Sequence, residues 1–337
     1  MVNNSLPSYI QALMEPGRLP GGTGPVELVQ THISYVLLTE QLVYKFKKPV
    51  DFGFLDFTTL EKRRFFCEQE LVLNRRLCPT LYLGVVSVNQ QADMFAVDGP
   101  GSPVEYGVKM ARMPEDRMMT RVLAAGELTT GMLDGIVEVL VPFYDRAEGG
   151  EAIREFGTAR AVAVNVLENF SQTEGFVGTQ ALSRAQFEAI SGYARNFLAR
   201  EALFEARIAA GRIRDCHGDL YSANICLADQ VYIFDCIEFN QRFRYCDVAS
   251  DVAFLAMDLD FHGRRDLSAH FIQRFTAAAH DDGLAAMLNF YKCYRAYVRG
   301  KIGLFTAQAP EVDEVTRARC LSQARNYFLL AEEYAAG

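Results

Sequence analysis

The alternation of apolar and polar residues predicts strands in the first third of the chain. Such runs occur at 26–31, 34–39, 42–47, 82–88, 94–97 and 105–110. Residues 58–77 instead carry apolar side chains at helical spacing, and residues 7–15 predict a short leading helix. We therefore expect a small antiparallel sheet with one main helix in this region.

The spacing of apolar residues becomes helical after residue 114. Predicted helices lie at 115–125, 130–147, 155–170, 183–211, 266–279, 284–308 and 314–335. Ser183 and Thr130 are candidate N-caps, because their hydroxyls can accept a hydrogen bond from a free backbone N–H group. Gly211 is a candidate C-terminal stop, because glycine adopts the left-handed conformation that ends many helices.

One island of strand character, at about 225–239, interrupts the predicted helices. The two patterns divide the chain into a β-rich lobe, residues 1–113, and a helical lobe, residues 114–337. A cleft is expected near 112–115, because ligand sites favour the junctions between such parts. The predicted fold class is therefore α+β, with a small antiparallel sheet lobe and a large, mainly helical lobe.

Composition indicates where the protein resides and which classes of partner it lacks. The net charge is −8, and the basic residues near the front helix are interleaved with acidic ones, so nucleic-acid binding is not expected. No uncharged apolar run reaches the ~18 residues that a membrane span needs, and no signal peptide is evident at the N-terminus. The 8 cysteines are scattered without a Cys-x-x-Cys pair, which indicates a reducing compartment. We expect a soluble cytoplasmic protein with neither a membrane nor a nucleic-acid partner.

Candidate chemistry is concentrated around a predicted hairpin. The string His217-Gly218-Asp219-Leu220 opens a polar segment that ends at Asn224, directly before an apolar strand at 225–227. A turn leads to a second strand, which ends at Asp235. Because a hairpin brings the residues before its first strand near those after its second, Asp219, Asn224 and Asp235 should converge.

These three side chains suit phosphoryl transfer. Two carboxylates and an amide oxygen are the hard ligands that Mg²⁺ prefers, and the reaction also needs a carboxylate that accepts the proton of the attacking hydroxyl. We assign the role of proton acceptor to Asp219, and we assign Mg²⁺ binding to Asn224 and Asp235. A polar turn with capping side chains is the alternative. The combined pattern is HxDxxxxN followed by an Asp that closes the next strand. It favours a phosphoryl-transfer site over a polar turn, because protein kinases show the same order of residues.

At these residues the chain resembles the aminoglycoside phosphotransferase family, which has a protein-kinase-like fold. The matching strings are His217-Gly218-Asp219-Leu220 through Asn224, Ile233-Phe234-Asp235, and Asp251-Val252-Ala253-Phe254. Further strings resemble bacterial phosphotransferase-like proteins of unknown substrate that are often fused to a P-loop ATPase domain: Thr31-His32-Ile33-Ser34, Val43-Tyr44-Lys45 and Asp235-Cys236-Ile237-Glu238-Phe239. The resemblance implies ATP and Mg²⁺ as cofactors, a nucleotide-binding front lobe, a substrate site in the helical lobe, and a P-loop ATPase as a partner.

The resemblance also implies a strand lysine that binds nucleotide phosphates and a helix glutamate that holds it. Lys45 is assigned as that lysine, but strand alternation places Lys47 on the same face, so the choice stays open. Glu70 is assigned as the glutamate, because it lies seven residues before Leu77 as in the family pattern. Glu68 is its rival, and both could instead pair with arginines at helical spacing.

Three departures from the kinase pattern are visible. The turn at 30–34 contains no Gly-x-Gly-x-x-Gly, so phosphate cover is expected from backbone N–H groups and the Thr31 or Ser34 hydroxyl. Asp235 is followed by Cys-Ile-Glu rather than Phe-Gly. The string Asp51-Phe52-Gly53 precedes the catalytic segment, so we predict an ordinary loop turn there.

By the same resemblance, the backbone of Ala111 and Met113 is expected to contact the adenine. A set of charged side chains could line the acceptor site: Glu238, Arg242, Arg244, Asp247, Arg295 and Arg299. The leading hypothesis is transfer of the ATP γ-phosphate to a hydroxyl of a small aminoglycoside-like, sugar-like or amino-alcohol-like molecule. The alternatives are a nucleotide-binding regulatory module without transfer, and transfer of AMP.

Overall fold

A six-stranded antiparallel sheet forms the front of the chain in the computed structural model, which describes residues 6–309 and 312–337. Its strands are β1 (Glu27–Gln30), β2 (Ser34–Leu38), β3 (Leu42–Lys47), β4 (Tyr82–Gln91), β5 (Met94–Val97) and β6 (Ser102–Ala111). They lie in the order β1-β2-β3-β6-β4-β5, which makes β3 and β6 the central strands. All the strands predicted for this region are confirmed, with ends shifted by a few residues.

The two faces of this sheet carry different partners. Tyr44 and Phe46 of β3 are fully buried in a cluster with Ile10 and Leu13 of helix α1 (Ser8–Leu13). Because successive strand residues point to opposite faces, Lys45 lies on the other face. That face packs against helix α2 (Leu60–Asn74). Its N-cap is Thr59, whose hydroxyl accepts a hydrogen bond from the Lys62 N–H.

The remainder of the chain is mainly helical. Its helices are α3 (Met119–Ala124), α4 (Thr130–Arg146), α5 (Glu151–Arg154), α6 (Ala159–Thr173), α7 (Arg184–Leu198), α8 (Glu201–Ala209), α9 (Gln241–Arg244), α10 (Val248–Phe261), α11 (Arg265–Ala279), α12 (Leu284–Gln308) and α13 (Glu314–Ala336). Two strand pairs accompany them: β7 (Ile213–Asp215) with β10 (Tyr245–Asp247), and β8 (Ile225–Leu227) with β9 (Val231–Ile233). The long helices α12 and α13 pack along each other, and α10 packs on α12.

Several predicted helix ends need correction. The segment 183–211 is broken at Arg200, whose ψ of 58° is not helical and separates α7 from α8. Ser183 is confirmed as an N-cap, with a complete capping box, and Gly211 follows α8 in the left-handed region at φ +67°. Thr129, rather than Thr130, caps α4 by accepting a hydrogen bond from the Met132 N–H.

Two helices also start later than predicted, and three were not predicted: the single turns α5 and α9, and the long helix α10. The segment 115–125 begins with a 3₁₀ turn before α3, and 155–170 begins with a turn before α6. Helix α10 was missed because its first twelve residues, 248–259, are all buried. A helix that is enclosed on every side has no polar face, and therefore no amphipathic period that would reveal it.

The chain divides into two compact units. The first comprises the described residues up to Met118 together with Ile225–Gln241, and the second comprises Met119–Asn224 and the described part of Arg242–Gly337. The predicted division at residue 113 differs from this in placing the hairpin with the helices. The hairpin joins the first unit because Cys226 forms a β-bridge with Met118 and Tyr232 packs in the apolar cluster beneath α2.

The predicted α+β class, with a small antiparallel sheet part and a larger helical part, is confirmed. Within the described ranges, no helix is both long enough and apolar enough to cross a membrane.

Candidate functional site

The predicted hairpin exists and positions Asp235. β8 and β9 pair antiparallel, with Ile225 opposite Ile233. Asp235 then takes a left-handed conformation at φ +63°, which is uncommon for a residue other than glycine. Its N–H donates to the Tyr82 hydroxyl at 3.1 Å, which helps to hold this conformation. Backbone strain of this kind persists where surrounding contacts enforce it, and it is concentrated at functional sites.

Lys45 lies between Glu70, the carboxylate predicted as its partner, and Asp235, which was predicted to bind Mg²⁺. Its Nζ is 2.9 Å from Glu70 Oε1 and 2.5 Å from Asp235 Oδ1. Burial alone would lower the pKa of Lys45, but Asp235 and Glu70 outweigh burial and raise the pKa well above its usual value. Glu70 is fully buried, whereas the Asp235 side chain is 43% exposed. The group of three therefore opens to solvent at Asp235.

Lys47 and Glu68, the alternatives to Lys45 and Glu70, differ in their contacts. Lys47 is buried and donates to the second oxygen of Glu70 at 2.7 Å, and also to Glu238. Burial would raise the pKa of Glu70, but Lys45 and Lys47 together lower it to about 2. Glu68 instead accepts from Arg64 at 2.9 Å on the solvent side of α2. The structure thus separates Glu68 from both lysines and brings both lysines to Glu70.

The predicted adenine contacts lie at the end of β6. The Ala111 N–H donates to the Leu81 carbonyl at 2.9 Å, and the Arg112 N–H donates to the Gln41 carbonyl at 2.8 Å. Met113 follows the strand and packs at the edge of the apolar cluster under α2. Because its N–H is already used, Ala111 could offer an adenine only its carbonyl.

The turn between β1 and β2 closes on itself. Thr31 Oγ1 accepts from the N–H groups of Ile33, at 3.2 Å, and Ser34, at 2.9 Å. Ser34 is also buried, with 1% of its surface exposed. The N–H groups of Ile33 and Ser34 are thus used inside the turn, whereas the buried Ser34 hydroxyl has no hydrogen-bond partner among the described residues. Phosphate cover by Thr31 or Ser34 stays a prediction. The prediction for Asp51-Phe52-Gly53 is confirmed, since the Gly53 N–H donates to Asp51 Oδ1 at 2.8 Å in a loop turn.

In the second unit, helix α10 holds the segment that carries Asp219. Asp251 accepts from the backbone N–H groups of His217, at 2.7 Å, and Gly218, at 2.9 Å, through different oxygens. Asp258 accepts from the Ser222 N–H at 3.0 Å. Residues seven apart share a helix face, so α10 presents two buried carboxylates to one loop.

Arg295 of α12 supports the same loop. It donates to the Gly218 carbonyl at 2.9 Å and to the Ser250 carbonyl at 3.2 Å, and it lies 3.7 Å from Asp251. Since both charges are buried, each provides the compensation that the other needs. Gly218 has φ +89°, a conformation that favours glycine. Arg295, predicted as a residue of the acceptor site, is thus a support of the loop.

Asp219 and Asn224 are brought together by the 3₁₀ turn Ser222–Asn224. The Asn224 side-chain amide donates to the Asp219 carbonyl at 2.9 Å and to Asp219 Oδ2 at 3.0 Å. Asn224 is 5% exposed, so this contact is sheltered from water. The amide nitrogen is committed to Asp219, which leaves Asn224 Oδ1 as the atom that could bind a metal.

Asn224 in the second unit and Asp235 in the first each offer an oxygen donor of the kind that Mg²⁺ prefers. Across 6–309 and 312–337, no group of three or more His, Cys, Asp or Glu residues could hold a metal by itself. Mg²⁺ commonly takes one or two protein oxygens and completes its shell with phosphate oxygens and water. A partly exposed carboxylate beside a charged lysine suits that mode of binding.

Three residues predicted for the acceptor site are used in buried ion pairs instead. These pairs are Glu238 with Lys47, Arg244 with Asp215, and Asp247 with Arg207. Arg242 keeps a partly exposed ion pair with Glu168 at 2.5 Å, and the Arg299 guanidinium lies 4.7 Å from the Tyr221 ring. These contacts give the charged side chains structural partners, and their place in an acceptor site stays a prediction.

Sequence reasoning assigned no role to Asp251, Asp258 or Asn74. Asn74 accepts from the Cys236 N–H at 2.9 Å and so holds the backbone that follows Asp235. The sequence signal that could have identified Asp251 and Asp258 is an acidic residue within a run of apolar residues. Asp251 and Asp258 interrupt a mainly apolar helix with a spacing of seven residues, and such buried acids must have partners.

Comparison with known proteins first shows relatives of greater length. No family model matches the chain. The chain is 35% identical over 285 residues to uncharacterized proteins of Mycobacterium tuberculosis and Mycobacterium bovis, a match that covers 82% of the chain. It covers only 54% of those proteins, so the chain spans about half the length of the curated relatives it matches.

Among solved structures, a choline/ethanolamine kinase family protein from Mesorhizobium loti matches with a TM-score of 0.53 at 12% identity, covering 97% of this chain and 100% of that one. An aminoglycoside phosphotransferase from Streptomyces rimosus, solved with ADP and streptomycin, matches with a TM-score of 0.47 at 16% identity, covering 86% and 98%. Likeness at such identity concerns the fold. Together with the order of strands, hairpin and helices described above, the first match shows that this chain has the protein-kinase-like fold to which the aminoglycoside phosphotransferases belong.

Proposed function

We propose that the chain is an ATP- and Mg²⁺-dependent phosphotransferase that moves the γ-phosphate of ATP onto a hydroxyl of a small molecule. The observation that carries this proposal is Lys45, charged and held between the buried Glu70 and the half-exposed Asp235. Phosphoryl transfer relies on positive charge that is positioned in advance for the phosphates, and this arrangement supplies it.

The roles follow from the chemistry of each group. Lys45 would bind phosphate oxygens, and Asp235 and Asn224 would provide oxygen ligands for Mg²⁺. When bound, the metal neutralises charge that develops on the transferred phosphoryl group. Asp219 would orient the acceptor hydroxyl and take its proton, with its carboxylate steadied by the Asn224 amide. The proposal assigns residues of both units to one reaction.

The proposal also covers the adenine contacts, the cellular location and a partner protein. We propose that the Ala111 carbonyl and the Met113 backbone contact the base. A cytoplasmic location is proposed because all 8 cysteines are free. Because the curated relatives are nearly twice as long as the matched region, a P-loop ATPase partner also belongs to the proposal.

The test is transfer of labelled phosphate. Purified protein is incubated with Mg²⁺, a panel of hydroxylated metabolites and aminoglycosides, and ATP labelled on either the γ- or the α-phosphate. Transfer of the γ-label to an acceptor is the expected result. Transfer of the α-label would identify an AMP transferase, and nucleotide binding without any turnover would favour a regulatory module.

A further inference from the structure

Five charged side chains of the first unit form one unbroken series of ion pairs. In order, they are Asp235, Lys45, Glu70, Lys47 and Glu238. Asp235 and Glu238 lie three residues apart on the segment after β9, so the backbone closes the series into a ring. The proposed function uses only Asp235, Lys45 and Glu70, and it leaves Lys47 and Glu238 without a task.

Stability alone is a poor reason for the second lysine. Lys47 is 1% exposed, and the Glu238 side chain is 4% exposed. Taking such charges out of water costs free energy, and apolar residues of similar volume often serve stability equally well or better. The Lys47 ammonium also lies 4.9 Å from the centre of the Phe57 ring. A buried ion pair here therefore calls for another explanation.

The geometry of Glu70 supplies that explanation. Its Oε1 accepts from Lys45 at 2.9 Å, and its Oε2 accepts from Lys47 at 2.7 Å. A carboxylate held through one oxygen can still rotate about its terminal bond. With Oε2 fixed by Lys47, Oε1 can only face Lys45. Because Lys47 also binds Glu238, it is tied as well to the segment that carries Asp235.

Charge gives a second reason. Three carboxylates and two lysines leave the ring with a net charge of −1. Without Lys47, three carboxylates would share a single lysine, and the net charge would be −2. That charge would repel an anionic nucleotide. Lys47 therefore keeps the surroundings of Lys45 compatible with phosphate.

We propose that Lys47, together with Glu238, is a positioning residue for Lys45. It holds Glu70 and the Asp235 segment against β3, so that Lys45 stands ready before any nucleotide arrives. The inference rests on the proposed function, since it assigns Lys45 to nucleotide phosphates. A residue that acts through another loses its effect once that other residue is removed.

The test is a double-mutant cycle on Mg·ATP binding, measured by titration calorimetry. We expect Lys47→Met to weaken binding by about 10- to 100-fold, the loss typical when a group that orients a ligand is removed. In a Lys45→Met background the same change should alter the dissociation constant by less than about twofold. Lys62→Met, which removes an exposed lysine near the start of α2, is the matched control and should bind as the unaltered protein does.

A second variant covers the case in which Lys47→Met folds poorly. The double variant Lys47→Met/Glu238→Gln removes both members of the pair, so its thermal unfolding midpoint should recover toward that of the unaltered protein. Nucleotide binding should recover only in part, because the net charge of the ring returns to −1 but Glu70 still lacks its second lysine. Binding that recovers fully together with the midpoint would reduce Lys47 to a structural ion pair and overturn the inference.

Two further outcomes separate this inference from the proposed function. If the unaltered protein binds Mg·ATP and Lys47→Met binds it equally well, or if Lys47→Met weakens binding by the same factor in both backgrounds, the positioning role alone fails. If the unaltered protein binds no Mg·ATP, the proposed function fails and the role of Lys47 falls with it.

Discussion

Asp251→Asn offers the sharpest test of how the segment that carries Asp219 is held. Both oxygens of Asp251 accept backbone N–H groups, from His217 at 2.7 Å and from Gly218 at 2.9 Å. Whichever oxygen the amide nitrogen replaces, it will face an N–H donor. A hydrogen bond to a charged group contributes about 1.5–3 kcal/mol, and Arg295 also loses its compensating charge. We therefore expect the free energy of unfolding to fall by about 2–4 kcal/mol.

The measurement is urea unfolding followed by circular dichroism, which reports mainly on the helices of the second unit. Asp134→Asn is the matched control, because Asp134 is a partly exposed carboxylate that pairs with Arg274 at 3.0 Å. Its replacement should change the free energy of unfolding by less than about 1 kcal/mol. Equal losses in the two variants, or no loss in Asp251→Asn, would refute the view that α10 fixes the loop through this carboxylate.

Further predictions concern the roles proposed above. Asp219→Asn should slow phosphate transfer by about 10²- to 10⁴-fold in the labelling assay, with Mg·ATP affinity unchanged. Asp235→Asn should keep its thermal unfolding midpoint, because Asn tolerates the left-handed backbone, but titrations should show that Mg²⁺ no longer strengthens nucleotide binding. Two lysines lower the pKa of Glu70 from 4.5 to about 2, so its stabilising effect should be present above pH 4.5 and lost as the pH falls toward 2. Glu70→Gln should remove that part of the pH dependence of unfolding, whereas Glu68→Gln should leave it intact.

The front sheet and the hairpin were predictable because their physics is local. Alternating burial identifies strands, and the run from 225 to 235 contains both strands of the hairpin and the turn between them. The choice of Glu70 over Glu68 needed more than helical spacing, since both lie on α2. The structure buries Glu70 against β3 and leaves Glu68 in solvent with Arg64.

The supports of the segment that carries Asp219 were harder to predict because they depend on tertiary contacts. Asp251 belongs to a helix whose enclosure on all sides removed the periodic signal. Arg295 lies 77 residues from the Gly218 carbonyl to which it donates. No local pattern encodes such a contact. A charge within an apolar run could still have been recognised as needing a buried partner.

The sequence argument treated Lys45 and Lys47 as alternatives, although both lysines contact Glu70 in the structure. Strand alternation correctly placed both lysines on one face, and the kinase pattern then required that only one of them bind the nucleotide phosphates. The helix that covers this face turns a buried carboxylate toward it, and a carboxylate has two oxygens. Glu70 gives one oxygen to each lysine, so both are retained, and only Lys45 is also in contact with Asp235 among the described residues. The kinase pattern specifies the lysine that meets phosphate; the second lysine follows from the need to hold Glu70 in one orientation.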